Sequence, residues 1–458
     1  MSDTTQDQKN PSRRDFLKTA GALVGGLAIG GAAGAYAGSS YAASGNQAGG
    51  LKQGRGVLTI GNSVSTSGPT APAISKAVDM LKSWETLINA QGGIYAPDMG
   101  GYIPVKVIVY PDGGPGDLGT VKNNYTRMAT QDNVDIMIGP FAAALAETAS
   151  PIAVQYSTPY VDTNAGEVPI FSQSGNWIVG EINLINFWLW NYFNVLKAQT
   201  PAKTIGLMDL GDDFGTEVNG TGASKFGAAT IAKQLGFDVV TNGSDHINQN
   251  FSPNFDYSTE VQRMKSLDPD VIVFVETTGV FQGQFWLACK AAGYKPRAYH
   301  PIFATYSSFQ SVVGADLANG LTGDIQWDSR FPFEGLWGKK FWASLETAAN
   351  FKASEWNALP VIYSALETAC AAVTFAGSTD KTKVAAALNS MEIMTLMGPW
   401  RAQNPLLSPF NPGSGSSLGK AMGLLIATPV QVINGQINIL GTGPEATARY
   451  VYPQPTSW

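Results

Sequence analysis

From residue 56 onward the chain alternates strand-like runs with helical patterns, and the alternation happens twice. Residues 57–61, 105–110, 134–139 and 160–162 read as strands. Residues 73–91, 118–131 and a stretch opening near Ala142 read as the helices between them. Gly92-Gly93 closes the first helix, glycine being the residue that takes the left-handed position after a last turn. The pattern then restarts, with strands at 204–209, 237–241, 271–276 and 301–304 and helices at 188–199, 218–235, 259–266 and 281–292. Strand–helix–strand repeats build parallel sheets covered by helices on both faces. Two successive units of similar size predict an α/β fold of two doubly wound parallel-sheet lobes. Ligands of such sheets sit beyond the carboxyl ends of the strands. The tail is less regular: a long apolar helix at 353–375, a short one at 381–389 and a β-rich segment at 421–441. The chain is therefore expected to recross near 320–328 and near 397, a multi-crossover hinge. The expected lobes are 56–175 plus 328–396, and 176–327 plus 397–458.

In front of this region stands Ser12-Arg13-Arg14-Asp15-Phe16-Leu17-Lys18, followed by a glycine- and alanine-rich apolar stretch to about residue 37. Charged region, apolar core and small residues in that order read as an export signal, and the paired arginines mark the twin-arginine type. Residues 1–43 are read as the signal, with cleavage after Ala37, Ala42 or Ala43, and 44–55 as a flexible leader. A membrane anchor is the plain alternative, but the stretch is weakly hydrophobic and a span needs roughly 20 strongly apolar residues. No downstream segment is expected to be long and apolar enough to span a bilayer; 182–190 is interrupted by Asn183 and Asn186. The expected location is the periplasm, without stable membrane insertion.

Composition narrows the function classes. A net charge of −6, with no basic cluster after the signal, argues against nucleic acid and anionic membranes as partners. The two cysteines, Cys289 and Cys370, lie in alanine-rich helical patterns that suggest buried packing, with a bond between them as the alternative. Two histidines cannot build a histidine-rich metal site; His246 reads as a solvated loop residue and His300 as a core imidazole at a strand entrance. Asp209, Asp212 and Asp213 can hold a cation, although a polar βα loop explains them as well. There is no Gly-x-Ser-x-Gly elbow, phosphate loop or Cys/His cluster. Neither enzyme activity nor a cofactor is expected.

Several motifs carry a resemblance. Gly61-Asn62-Ser63-Val64-Ser65-Thr66-Ser67-Gly68-Pro69, Asn89-Ala90-Gln91-Gly92-Gly93-Ile94 and the 105–112 run ending in Pro111-Asp112 resemble the leucine/isoleucine/valine-binding family of periplasmic proteins. So do the 134–140 strand ending in Ile138-Gly139-Pro140, Asp213-Phe214-Gly215, Asn254-Phe255-Asp256 and Ala291-Ala292-Gly293-Tyr294, all in family order. The resemblance implies a type I periplasmic binding protein, the solute receptor of an ATP-driven (ABC-type) importer, whose partners are a small-molecule ligand and the permease subunits. It also implies where the ligand lies: Thr66 and Ser67, then Phe141, Ala142 and Ala143, then Asn164, Ala165 and Gly166, then Phe214 and Tyr306.

At these positions the sequence departs from the amino-acid-binding members. The serine that holds a ligand carboxylate is replaced by Ala143, the Ala-Ala-Thr segment by Asn164-Ala165-Gly166, a second-lobe tyrosine by Phe214, and the acid that pairs with the ligand ammonium by Thr305-Tyr306. The family's disulfide positions fall on Gly114 and Ala142. An α-ammonium without a carboxylate would be buried unpaired, at a cost of several kcal/mol. Glu276, beside Thr277, Asp209 and Glu181 are the substitute acids to consider, each otherwise a solvated or helix-capping carboxylate. Trp177, Phe141 and Phe214 are candidate cleft walls. The ligand classes left open are an amino acid, an aromatic or aliphatic acid, and an amide. A ligand-sensing receptor of the same fold is the alternative function.

Overall fold

The computed structural model describes residues 51–458 apart from 174, 223–224, 248–251, 253, 354–355, 357, 403–426, 442–444 and 457. The expected export signal, the first part of the leader and the start of the expected 421–441 segment lie outside the described residues.

Two parallel sheets organise the described chain. The first is built from β1 (Leu58–Ser65), β2 (Val105–Asp112), β3 (Ile136–Ile138), β4 (Tyr160–Asp162) and β5 (Ile178–Gly180), in the order β2-β1-β3-β4-β5. The second contains β6 (Thr204–Asp209), β7 (Asp238–Val239), β8 (Asp245–His246), β9 (Val271–Val275) and β10 (Tyr299–Pro301). Its order repeats the first, because β7 and β8 follow one another along the same edge of β6, with β9 and β10 beyond. Between β7 and β8 the main-chain ladder is interrupted, and the Leu207 amide donates instead to Thr241 Oγ1 at 2.9 Å. In β9 the two faces separate with period two: Val271, Val273 and Val275 join the main core, Ile272 and Phe274 a second core with Phe285, Trp286 and Tyr299. A third, antiparallel sheet joins β11 (Thr322–Ile325) to β12 (Thr428–Ile433) and β13 (Gln436–Ile439).

Differences from the sequence reading have local causes. The expected helix 218–235 is two helices, Asp213–Asn219 and Ala228–Gln234. Gly220 ends the first in the left-handed region (φ 75°) and packs its backbone on Gly227, where neither position has room for a Cβ. β5 was not expected, being three buried residues without alternation. His246 is exposed as expected but lies in β8 rather than in a loop, its Nδ1 2.6 Å from Asp209 Oδ1. His300 is a core imidazole as expected, between Thr322 Oγ1 (3.0 Å) and Asp324 Oδ2 (3.3 Å) and stacked on Tyr192. Both cysteines are buried and free.

One correction concerns membrane propensity: helix Ala358–Ala376 is long and apolar enough to cross a bilayer, and here it lies buried in the main core. Most of its polar groups are committed, although the buried Tyr363 hydroxyl has no hydrogen-bond partner. Ser364 Oγ donates to Glu181, as does Thr368 Oγ1 at 2.9 Å. Its own Glu367 accepts the amides of Leu336 (2.7 Å) and Leu396 (2.6 Å).

These buried acids set a pH dependence. Burial raises Glu181 to about 7, raises Asp162 to about 8, and lifts Glu367 well above the ordinary range. A folded-state pKa above the unfolded one means that the folded chain holds the proton more tightly. The associated stability is complete below about pH 4 and is lost as pH rises through 7–8. The urea midpoint is therefore expected to fall between pH 5 and pH 8. Glu181→Gln should remove its share of that slope, about 1.4 kcal/mol per pKa unit and roughly 3 kcal/mol at most. A midpoint that rises over the same range would contradict this assignment.

Candidate functional site

The loops that leave the carboxyl ends of both sheets meet in one cleft. From the first sheet, β3 leads into Phe141, and the turn after β1 brings Ala73. From the second, β9 leads into Thr277 and Thr278, and β10 into Phe303, Tyr306 and Ser308. Ala358, the first residue of the buried helix, completes the lining of a space of about 280 Å³ that includes open solvent. No charged side chain is among them. The aromatic wall is layered: Phe303 lies 5.6 Å from Tyr306, and Phe214 stacks on Phe303 at 6.4 Å with Trp188 edge-on to both. Trp188 is in turn fixed by its Nε1–H, which donates to Asp324 Oδ2 at 2.9 Å.

Of the residues singled out from sequence, Phe141, Thr277 and Tyr306 line this cleft, and Phe214 backs it. Ala142 and Ala143 open helix Ala143–Gln155, which has no side-chain cap, so its first amides are not taken by a capping side chain. Ala142 has φ 89°, in the region that favours glycine. Asn164 is buried, its Nδ2 3.5 Å from Ala358 O, and the Ala165 amide donates to Asp162. Gly166 is pressed on the backbone of Asn183 and Ile185, where a Cβ has no room.

Others lie elsewhere. Thr66 and Ser67 are exposed and outside the lining, and Trp177 is half-buried against the main core. Glu181 is turned to Ser364 and Thr368. Glu276 is buried beside the cleft threonines: one oxygen accepts from the Thr278 amide and the other has no hydrogen-bond partner. Burial, then the negative charge of Asp212, raises it to about 7, against the pull of the Thr278 amide. Asp209 is saturated by Gly211 N, Asn219, Ser244 and His246. Asp212 caps helix Asp213–Asn219 through Gly215 N (2.9 Å) and accepts from Thr277 Oγ1 (2.7 Å). Among the described residues no three acidic, histidine or cysteine side chains are grouped to hold a metal ion.

The sequence reading missed Phe303, Thr278, Ser308, Ala73 and Ala358. Phe303 was legible in principle: the strand ends at Pro301, not Ala304, which moves Phe303 into the ligand-facing loop.

Ala142 carries a prediction. A non-glycine residue in this region stores of order 1–3 kcal/mol. Ala142→Gly is expected to hold or raise the urea midpoint although it deletes a buried methyl; a clear loss of stability would remove the strain from the account.

A family model described as periplasmic binding protein matches residues 57–406. Among solved structures, a Rhodopseudomonas palustris ABC-transporter solute binding protein in complex with 4-hydroxybenzoate is similar at 16% identity and TM-score 0.62, covering 86% of this chain and 98% of that one. Another from R. palustris, in complex with benzoate, gives 16% identity and TM-score 0.63 over 88% and 97%. A leucine binding protein from Thermotoga maritima gives 15% identity and TM-score 0.63 over 83% and 97%. At these identities the likeness concerns the fold, that of a type I two-lobe binding protein.

Proposed function

The chain belongs to the periplasmic binding protein family, and on that premise we propose that it is an exported solute receptor that captures a small ligand by cleft closure and delivers it to an ABC-type importer. The two lobes are 56–180 plus 328–401 and 181–327 plus 428–458; the boundaries expected at 175 and 396 move because β5 pairs with β4 and Gly398–Arg401 pairs with Glu392–Thr395. The twin-arginine signal at 1–43 takes the folded chain to the periplasm.

The observation that carries the reading is the lining of the cleft: three aromatic rings, four hydroxyls counting the Tyr306 phenol, and no charge, beside the start of a 13-residue helix without a side-chain cap. Aromatic walls favour a planar or bulky apolar body. Amides at a helix start favour an anionic or carbonyl end, since the helix dipole is positive there. An α-ammonium finds no carboxylate in the lining. The ligand class that fits is a small aromatic or aliphatic carboxylate. Two of the similar structures hold benzoates, which is consistent with this class.

The test is a thermal-shift screen of purified protein against benzoate, 4-hydroxybenzoate, short aliphatic acids, amides and leucine, since a bound ligand raises the midpoint by mass action. Aromatic carboxylates are expected to give the largest rise, and a response to leucine alone would overturn the ligand class. Phe303→Ala should abolish the response. Glu276→Gln should leave the response to carboxylates intact; its loss would give Glu276 a direct part in binding.

A further inference from the structure

Helix Ala143–Gln155 belongs to the first sheet's layer and helix Asp213–Asn219 to the second's, and the two pack against each other. The charged groups that meet across this contact are all acids. Glu147, half-buried on the first helix, feels Asp213 and Glu217 on the second. Beside it Glu167 is fully buried, neither carboxyl oxygen has a hydrogen-bond partner, and its charged neighbours are Asp162, Glu147 and Glu217. Among the described residues no basic side chain pairs with Glu147 or Glu167. Helix Leu118–Thr130, on the other flank, turns Tyr125 to Ile138 O, sets Arg127 over the Tyr110 ring and near Asp132, and leaves Lys122 exposed. Helix Val168–Phe171 and β5 bring no charge; β4 brings Asp162, bonded to Tyr160 and to the Ala165 amide.

We propose that this acid-on-acid contact between the lobes links cleft closure to proton uptake, so that the closed form is favoured as the surroundings acidify. The proposal rests on the solute-receptor reading for the meaning of closure. Separated lobes leave Glu147 facing water with an ordinary carboxyl pKa near 4.5; packed together, burial and then Asp213 and Glu217 raise it to about 7. A pKa raised in the closed form penalises closure in full above about 7 and not at all below about 4.5. Each such group therefore shifts the closure equilibrium by up to about tenfold per pH unit in that window.

Small-angle scattering of the ligand-free, signal-cleaved protein between pH 5 and pH 8.5 tests this directly. The radius of gyration is expected to be smaller at pH 5 than at pH 8.5. Glu147→Gln should weaken the change, and Asp213→Lys, which gives Glu147 a cationic partner, should reverse or cancel it. A wild-type radius that is the same at both ends, or a change that survives both substitutions in full, would overturn the proposal. The ligand screen fails separately: no hit there sinks the solute-receptor reading without altering the scattering, while ligand binding with a pH-independent radius sinks the proton link alone.

Discussion

The arrangement of this molecule hangs on a buried helix that is almost, but not quite, apolar. Ala358–Ala376 would serve as a greasy rod were it not for Ser364, Glu367 and Thr368 on its length. Ser364 and Thr368 hold Glu181, the residue at which the chain leaves the first sheet for the second. Glu367 collects the amides of Leu336 and Leu396, the latter at the turn between Glu392–Thr395 and Gly398–Arg401, whose Trp400 Nε1–H returns to Gly180 O at 3.0 Å. Breaking one partner of such a buried set leaves an unpaired polar group, worth about 1–3 kcal/mol. The helix thus fixes where separate passes of the chain lie against one another, and its first residue, Ala358, ends in the cleft wall.

Much of the architecture was legible because it follows from periodicity. Runs such as 57–61 and 271–276 are β-branched, short and bounded by turns, and they are strands. Boundaries were harder wherever glycine intervened, as at Gly220 and Gly227, which divide one apparent helix into two. Membrane propensity was misjudged at Ala358–Ala376, because composition alone does not distinguish a helix surrounded by lipid from one surrounded by protein.

The cleft was only partly legible, for a physical reason. Much of its chemistry comes from residues two to seven positions beyond a strand end, so an error of three residues at Pro301 hides Phe303. The acids proposed as ligand partners were sought at strand ends, where Asp209 and Glu276 do stand, but strand ends also hold the groups that tie loops together. Asp209 has four partners of its own. What a sequence cannot show is whether a carboxylate is already spoken for.

The interrupted edge of the second sheet has a consequence for how the molecule meets other chains. An outermost strand with a full row of free amides and carbonyls invites another chain to extend it. Here the row is broken between Val239 and Asp245, where the Thr241 hydroxyl takes the place of a main-chain acceptor for Leu207. A stranger aligning with this edge would find two residues, a gap, and two more. The margin of the sheet is a poor template for fibrils.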